Sequence, residues 1–374
     1  MRPWMAAPIV FAVSVLVALT SDIPTVRAQD KKPAPVPPVE ENFTTADGVR
    51  LRGLFHKSPK GGQGDPVVIL LYPPGPGNTM LKPGDWDGLT VDLNEKGFHV
   101  FRFDWRGHGK STDITDTDKF WDNPFTGPWN KKYVKGANKK PVKNDLNVKT
   151  DWDYKYFLPY VTDLAAARMH IDQKNDQGDL NSSSIYLIGA GNTATLGMLW
   201  MAAEWYRPAI HPLLAFGQTY KVVPTPGIET DPAGGSDIAG AIWLSATRQQ
   251  SVPAHAVQGW AKNPKMRENN HMLFLFGDQD PAAKDSKWFF NEVLVARGNK
   301  QLGVKELDQT FLTPIPKSKL TGVALLGNNA DLKTEDTILK YLAARQKDRV
   351  SLTRKERKYP GPYFIDLHAF GMDP

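Results

Sequence analysis

Four apolar runs decide most of what this chain can become. Val67–Tyr72, Ile185–Ile188, Ala241–Leu244 and Met272–Phe276 contain no charged residue, and a strand without a polar face has to be covered on both sides. An alternating segment over 49–55 reads as a half-buried strand, and His99–Asp104 as a further one. Between them lie stretches with helical character: one through Trp86 and Leu93, then Pro159–Lys174, Thr193–Trp205, Trp288–Val295 and Thr334–Arg345. Gly322–Leu326 reads as the last strand. Strands and helices in alternation predict a doubly wound α/β domain with a mostly parallel sheet, whose ligand site lies at the carboxyl ends of the strands.

Composition removes several chemistries. The 374 residues include no cysteine, which excludes disulfides, thiolate metal sites and cysteine nucleophiles. Forty-six basic against forty acidic residues, with the two signs interspersed, give a charge of +6, too mild a bias to imply nucleic-acid binding. Metalloprotease, P-loop and EF-hand patterns are absent from the sequence, so no cofactor or metal is expected. Asp113, Asp116 and Asp118 read either as a cation site or, more simply, as a solvated loop.

The organisation follows from the same pass. Residues 1–28 carry an early Arg2, an apolar run from Trp4 to Leu19 and a small-residue Val26-Arg27-Ala28 end, which is the pattern of a signal peptide. The expected location is therefore periplasmic, cell-surface or extracellular, with an uncleaved membrane anchor as the alternative. Residues 29–41 read as a Pro-rich linker, 42–346 as the folded domain and 347–374 as a C-terminal tail with a basic stretch at Arg354–Lys358.

The segment Gly97-Phe98-His99-Val100-Phe101-Arg102-Phe103-Asp104-Trp105-Arg106-Gly107-His108-Gly109-Lys110-Ser111 carries a D-x-R-G-x-G-x-S pattern at the end of a strand. With the strand–turn–helix at 185–205 and the Gly277-Asp278-Gln279-Asp280 strand end, it resembles the α/β-hydrolase superfamily over roughly residues 45–346. That resemblance implies a serine on a sharp strand-to-helix turn, backbone N–H groups for an oxyanion, and an acid and a histidine in chain order.

Position by position, the resemblance is incomplete. The elbow reads Gly189-Ala190-Gly191-Asn192-Thr193, so Gly191 stands where the nucleophile would be. Glycine there relieves backbone strain while removing the hydroxyl. Pro73, Pro74 and Pro76 in the loop after the first buried strand have no N–H to offer an oxyanion, which leaves Gly75, Gly77 and the elbow residue Asn192 as the candidate donors. Asp280 occupies the acid position, although Asp followed by Pro281 is equally a helix-start signal. The loop after Leu326 contains no histidine. His255 and His368 are the remaining candidates for a base, and Thr193 and Ser245 for an unconventional nucleophile.

Residues 112–158 interrupt the alternation and read as a cap-like insertion flanking the crevice. From Trp129 to Tyr156 it has eight lysines against three acids, interleaved with Trp129, Tyr133, Trp152 and Tyr154. Such a surface suits an unidentified small molecule or an anionic glycan or polymer. The other reading is that the aromatics pack the insertion down and the lysines keep it soluble. Two functions stay open on these grounds: a non-catalytic, exported hydrolase-like protein with a binding or scaffolding role, and a hydrolase of esters or peptides with displaced catalytic groups.

Overall fold

The computed structural model describes residues 36–59, 61–80, 84–207, 211–224, 234–295, 310–327, 330–358 and 361–374. The proposed signal peptide and the start of the linker lie outside the described residues. The strands are β1 (Val39–Thr44), β2 (Arg50–His56), β3 (Val67–Leu71), β4 (His99–Phe103), β5 (Ile185–Ala190), β6 (His211–Ala215), β7 (Gln218–Val223), β8 (Ile238–Leu244), β9 (His271–Gly277), β10 (Phe311–Ile315) and β11 (Phe364–Ile365). The helices are α1 (Asp85–Glu95), α2 (Thr117–Asp122), α3 (Gly127–Tyr133), α4 (Val161–Gln177), α5 (Thr193–Glu204), α6 (Ala254–Trp260), α7 (Pro264–Asn269), α8 (Ala283–Trp288) and α9 (Thr334–Lys347).

Eight strands form one sheet in the order β1-β2-β4-β3-β5-β8-β9-β10. β1, β2 and β4 pair antiparallel, and every pair from β4 to β10 is parallel. The apolar runs are the central strands, as expected. In β3, Val67, Ile69 and Leu71 enter the core on the side of α4 and α5, whereas Val68 and Leu70 face the core built with α1 and α9.

Three expectations are corrected. Gly322–Leu325 is a 3₁₀ turn and not a strand; Gly322 has φ +59 and Leu325 and Leu326 are buried, so the short apolar run marks burial without extension. The last strand is β10, an edge strand with Pro314 inside it and only Ile315 fully buried, which leaves it no apolar signature. β1 begins at Val39, within the segment read as linker, because its pairing from Val39↔Phe55 onward gives β2 its edge partner.

The C-terminal segment is built into the domain. β11 pairs with β7 in a second, three-stranded sheet. Tyr363 is buried and donates to Glu204 (2.6 Å), and Arg357 reaches Asp237 (2.8 Å). Asp237 also pairs with Arg168, which bonds Asp172, and Arg207 binds both Asp172 and Glu204. Buried charges tolerate such placement only when paired and hydrogen-bonded, as they are here.

One histidine makes the fold acid-sensitive. Burial and the Arg102 charge push His56 down to about 4 from its usual 6.5. Its folded value lies below its unfolded one, so the unfolded chain takes up the proton first and stability falls as pH drops from about 6.5 to about 4. Over that window the wild type should lose about 1–2 kcal/mol relative to His56→Phe, allowing for partial exposure. Urea denaturation of both proteins at the two pH values checks this; parallel curves would refute it.

Candidate functional site

Of the expected site residues, Gly191 and Asn192 follow the carboxyl end of β5, Asp280 that of β9, and Gly75 and Gly77 that of β3. At the end of β5 the chain turns sharply into α5, and Gly191 sits at that turn with φ +59. Gly189 and Gly197 lie against the Trp243 ring of β8, so close that a β-carbon on Gly197 would stand 2.1 Å from it. This contact holds the start of α5 down on the sheet. Gly191 is bonded to the neighbouring strand end through its N–H to Leu244 O (3.0 Å) and its carbonyl from Thr247 N–H (3.0 Å).

Space for a side chain at Gly191 is bounded by two groups. A β-carbon would lie 3.6 Å from Thr247 Oγ1 and 3.9 Å from the Pro73 ring. The loop residue that faces the elbow is therefore one without an N–H. Gly75, one of the remaining candidate donors, gives its N–H to His108 Nε2 (2.9 Å). The opposite nitrogen, Nδ1, lies 2.9 Å from Arg106 O and donates to it, which sets the tautomer. Burial lowers the His108 pKa, in keeping with a neutral ring. Gly77 is exposed at φ +87. Asn192 bonds Gln249 through Nδ2 (3.2 Å).

Asp280 is buried at the end of β9, and its Oδ1 serves two purposes. It accepts from the Ala282 N–H (2.7 Å), which begins the turn into α8, and from the Thr321 hydroxyl (2.8 Å). Asp280 thus organises a helix start, and its Oδ2 is buried without a hydrogen-bond partner among the described residues. Thr321 belongs to the segment after β10. Gly322 follows directly, its β-carbon position 3.7 Å from Ala190 Cβ. The Thr321-Gly322 turn thus touches both Asp280 and Ala190, the last residue of β5.

The histidines lie elsewhere or are committed. His56, His99 and His271 stand at the amino ends of the parallel strands, opposite the elbow. His255 lines a cavity of about 840 Å³ beside Ala202 and Tyr206, at the far end of α5. His368 is exposed and paired with Asp373 (2.7 Å), and His170 bonds Glu41. Ser245 ends β8 with φ +48, fully buried, its Oγ without a hydrogen-bond partner among the described residues. Thr193 Oγ1 donates to Ala190 O (2.8 Å) and belongs to the helix start. Among the described residues no group of three or more metal-ligating side chains is found; Asp113 pairs with Arg50, and Asp116 caps α2.

The insertion docks by its aromatics. Trp129 is buried, and Trp152 stacks on Tyr156 (4.3 Å between centroids) and covers Gly107. Tyr133 is half-buried against Trp129. Tyr154 alone of the four is largely exposed, at 71%, with Lys155 5.8 Å from its ring. Of the four rings expected on a recognition face, Trp129, Tyr133 and Trp152 pack within the domain instead, where their area is removed from water, and Tyr154 stays exposed.

The residues of the D-x-R-G-x-G-x-S pattern are architectural. Asp104 accepts from Met80 N–H (2.7 Å), and Ser111 bridges Asp104 O (2.8 Å) and Arg52 N–H (2.9 Å). Arg106 is wholly buried between Asp47 (2.6 Å) and Asp163 (2.7 Å) and touches Tyr156 of the insertion (3.1 Å). A β-carbon on Gly109 would collide with Asp104. Sequence reading could not separate these supporting roles from catalytic ones, and nothing near Thr321 or Pro73 marked them as neighbours of Asp280 and Gly191.

No family model matches the chain. It is 38% identical over 69 residues to the uncharacterized protein YfhR of Escherichia coli K12, a stretch that is 18% of this chain and 23% of that protein. The match thus spans about a quarter of the relative's length. Among solved structures, it is similar to Est1E from Butyrivibrio proteoclasticus (12% identity, TM-score 0.44, 81% of this chain and 99% of that one). It is similar also to a fungal esterase from Rhizomucor miehei (11%, TM-score 0.47, 84% and 86%) and to Porphyromonas gingivalis dipeptidyl peptidase 4 (14%, TM-score 0.44, 83% and 36%). The strand order, with its antiparallel lead-in through β1 and β2 and its sharp turn from β5 into α5, extends the resemblance carried by Gly97–Ser111 to the whole sheet: the chain has the α/β-hydrolase fold.

Proposed function

We propose that this protein is an exported α/β-hydrolase-fold protein that binds a ligand without hydrolysing it. The observation that carries the reading is the elbow: Gly191 has no hydroxyl, the facing loop residue is Pro73, and Asp280 meets the Thr321 hydroxyl through Oδ1 with no histidine beside it among the described residues. Nucleophile, oxyanion donor and base are each affected, and each loss alone is severe. Removing the serine of a comparable triad costs on the order of 10⁶ in turnover, and losing one oxyanion donor about 10²–10³. Export is supported by the Arg2, apolar-run and Val26-Arg27-Ala28 pattern, and no helix among the described residues is long and apolar enough to cross a membrane.

The second reading, a hydrolase with displaced groups, is favoured by one observation. Ser245 holds a left-handed backbone at a strand end, where strain is found at functional residues. A fluorophosphonate probe separates the two. The expected result is no stoichiometric labelling of the folded chain; saturable labelling mapped to Ser245 or Thr193 would establish the hydrolase instead.

A further inference from the structure

The segment Arg345–Lys358 holds seven basic residues against Asp348 and Glu356, and nothing at the elbow uses it. It runs across the amino ends of β5, β8 and β9, on the opposite side of the sheet. There a cavity of about 280 Å³ is walled by Arg345, Arg349, Lys355, His271, Ser183 and Asn269. Arg345 Nε and Nη1 are buried without a hydrogen-bond partner among the described residues, and so is His271 Nδ1. Arg345 Nη1 is ion-paired with Asp348 (3.5 Å), which also lines the cavity and is 63% exposed. Asp237, also on the wall, is already engaged by Arg168 and Arg357. Arg349 Nη1 is fixed by the carbonyls of Ser236 (2.7 Å) and Ser183 (3.3 Å).

A guanidinium with unmet buried donors is costly unless an acceptor arrives. Guanidinium forks, a hydroxyl and an amide around a small space match the several acceptor oxygens of a tetrahedral anion. Burial first, and then the charges of Arg345 and Arg349 against that of Asp348, push His271 down to about 4. We propose that this cavity is a binding site for a phosphate monoester group, held by Arg345, Arg349 and Lys355 and remote from the elbow.

Isothermal titration of the full chain with inorganic phosphate tests it. Saturable one-to-one binding is expected, with the His271 ring resonances moving in step. Arg345→Met should weaken binding at least about tenfold; the fold gives up only the ion pair of Nη1 with the exposed Asp348, a weak surface contact. Lys355→Met, at an exposed position, should weaken binding several-fold and keeps the test intact if the first variant does not fold. Phosphate also stabilises proteins non-specifically, so melting temperatures are compared as well. An equal rise in wild type and Arg345→Met, or no saturable binding, overturns the proposal. Vesicles containing phosphatidic acid distinguish the source: capture that depends on Arg345 assigns a lipid headgroup, and phosphate binding without capture assigns a soluble monoester.

Discussion

Gly191→Ser is expected to produce a folded protein with no esterase turnover above the wild type. The new β-carbon fits, with its nearest neighbours 3.6 and 3.9 Å away. A non-glycine residue at φ +59 costs about 1 kcal/mol, so the melting temperature should fall by about 2 °C. The hydroxyl gained would have no base. Thr321 meets Asp280, and His108 is held on both nitrogens by Gly75 and Arg106. Oxyanion support is also reduced, since Pro73 faces the serine position and Gly75 is engaged. Hydrolysis of a p-nitrophenyl ester by the purified variant measures this. A gain of tenfold or more over wild type would mean that a base reaches the elbow, and the non-catalytic reading would fall.

Arg106→Ala should destabilise the molecule by about 3–5 kcal/mol. Arg106, Asp47 and Asp163 are each fully buried, and removing the cation leaves two carboxylates in a low-dielectric interior. Burial already pushes the Asp163 carboxyl up to about 6 despite the neighbouring guanidinium. Asp47 also accepts from Thr126, and Tyr156 donates to Asn130, so the insertion loosens with the core. Arg50→Ala is the contrasting variant. Its pair with Asp113 is 3.4 Å long and about half exposed on both sides, and it should cost less than about 1 kcal/mol. Chemical denaturation of the two variants checks the difference; equal losses would show that Arg106 is not the tie between sheet and insertion.

These two positions show how the D-x-R-G-x-G-x-S pattern is compatible with the proposed loss of chemistry at the elbow. Asp104, Arg106, Gly107, Gly109 and Ser111 hold a strand end, a loop and the insertion together, so replacing them costs stability. Gly191, Pro73 and Thr321 border the crevice, where a change of chemistry leaves the core intact.

Much of this was legible in the residues because it is local. Continuous apolar runs identified the central strands, since burial on both faces leaves no polar alternation. Gly191 declared its missing hydroxyl without any structure. Other strands were not legible: β10 contains Pro314 and buries only Ile315, and β11 is only two residues long. The aromatics of the insertion were ambiguous because a ring that stacks a ligand and a ring that packs on Gly107 have the same sequence.

The sequence by itself determined that no cysteine chemistry is available, that the sheet is mainly parallel and that the elbow position is a glycine, because each depends on residue identity or short-range periodicity. Only the tertiary structure decided that Pro73 faces Gly191, that Thr321 meets Asp280, 41 residues away in the chain, and that Arg345 lines a cavity with unmet donors. Those facts arise from loops meeting at opposite ends of one sheet, and strand order brings such loops together in a way that spacing along the chain does not encode.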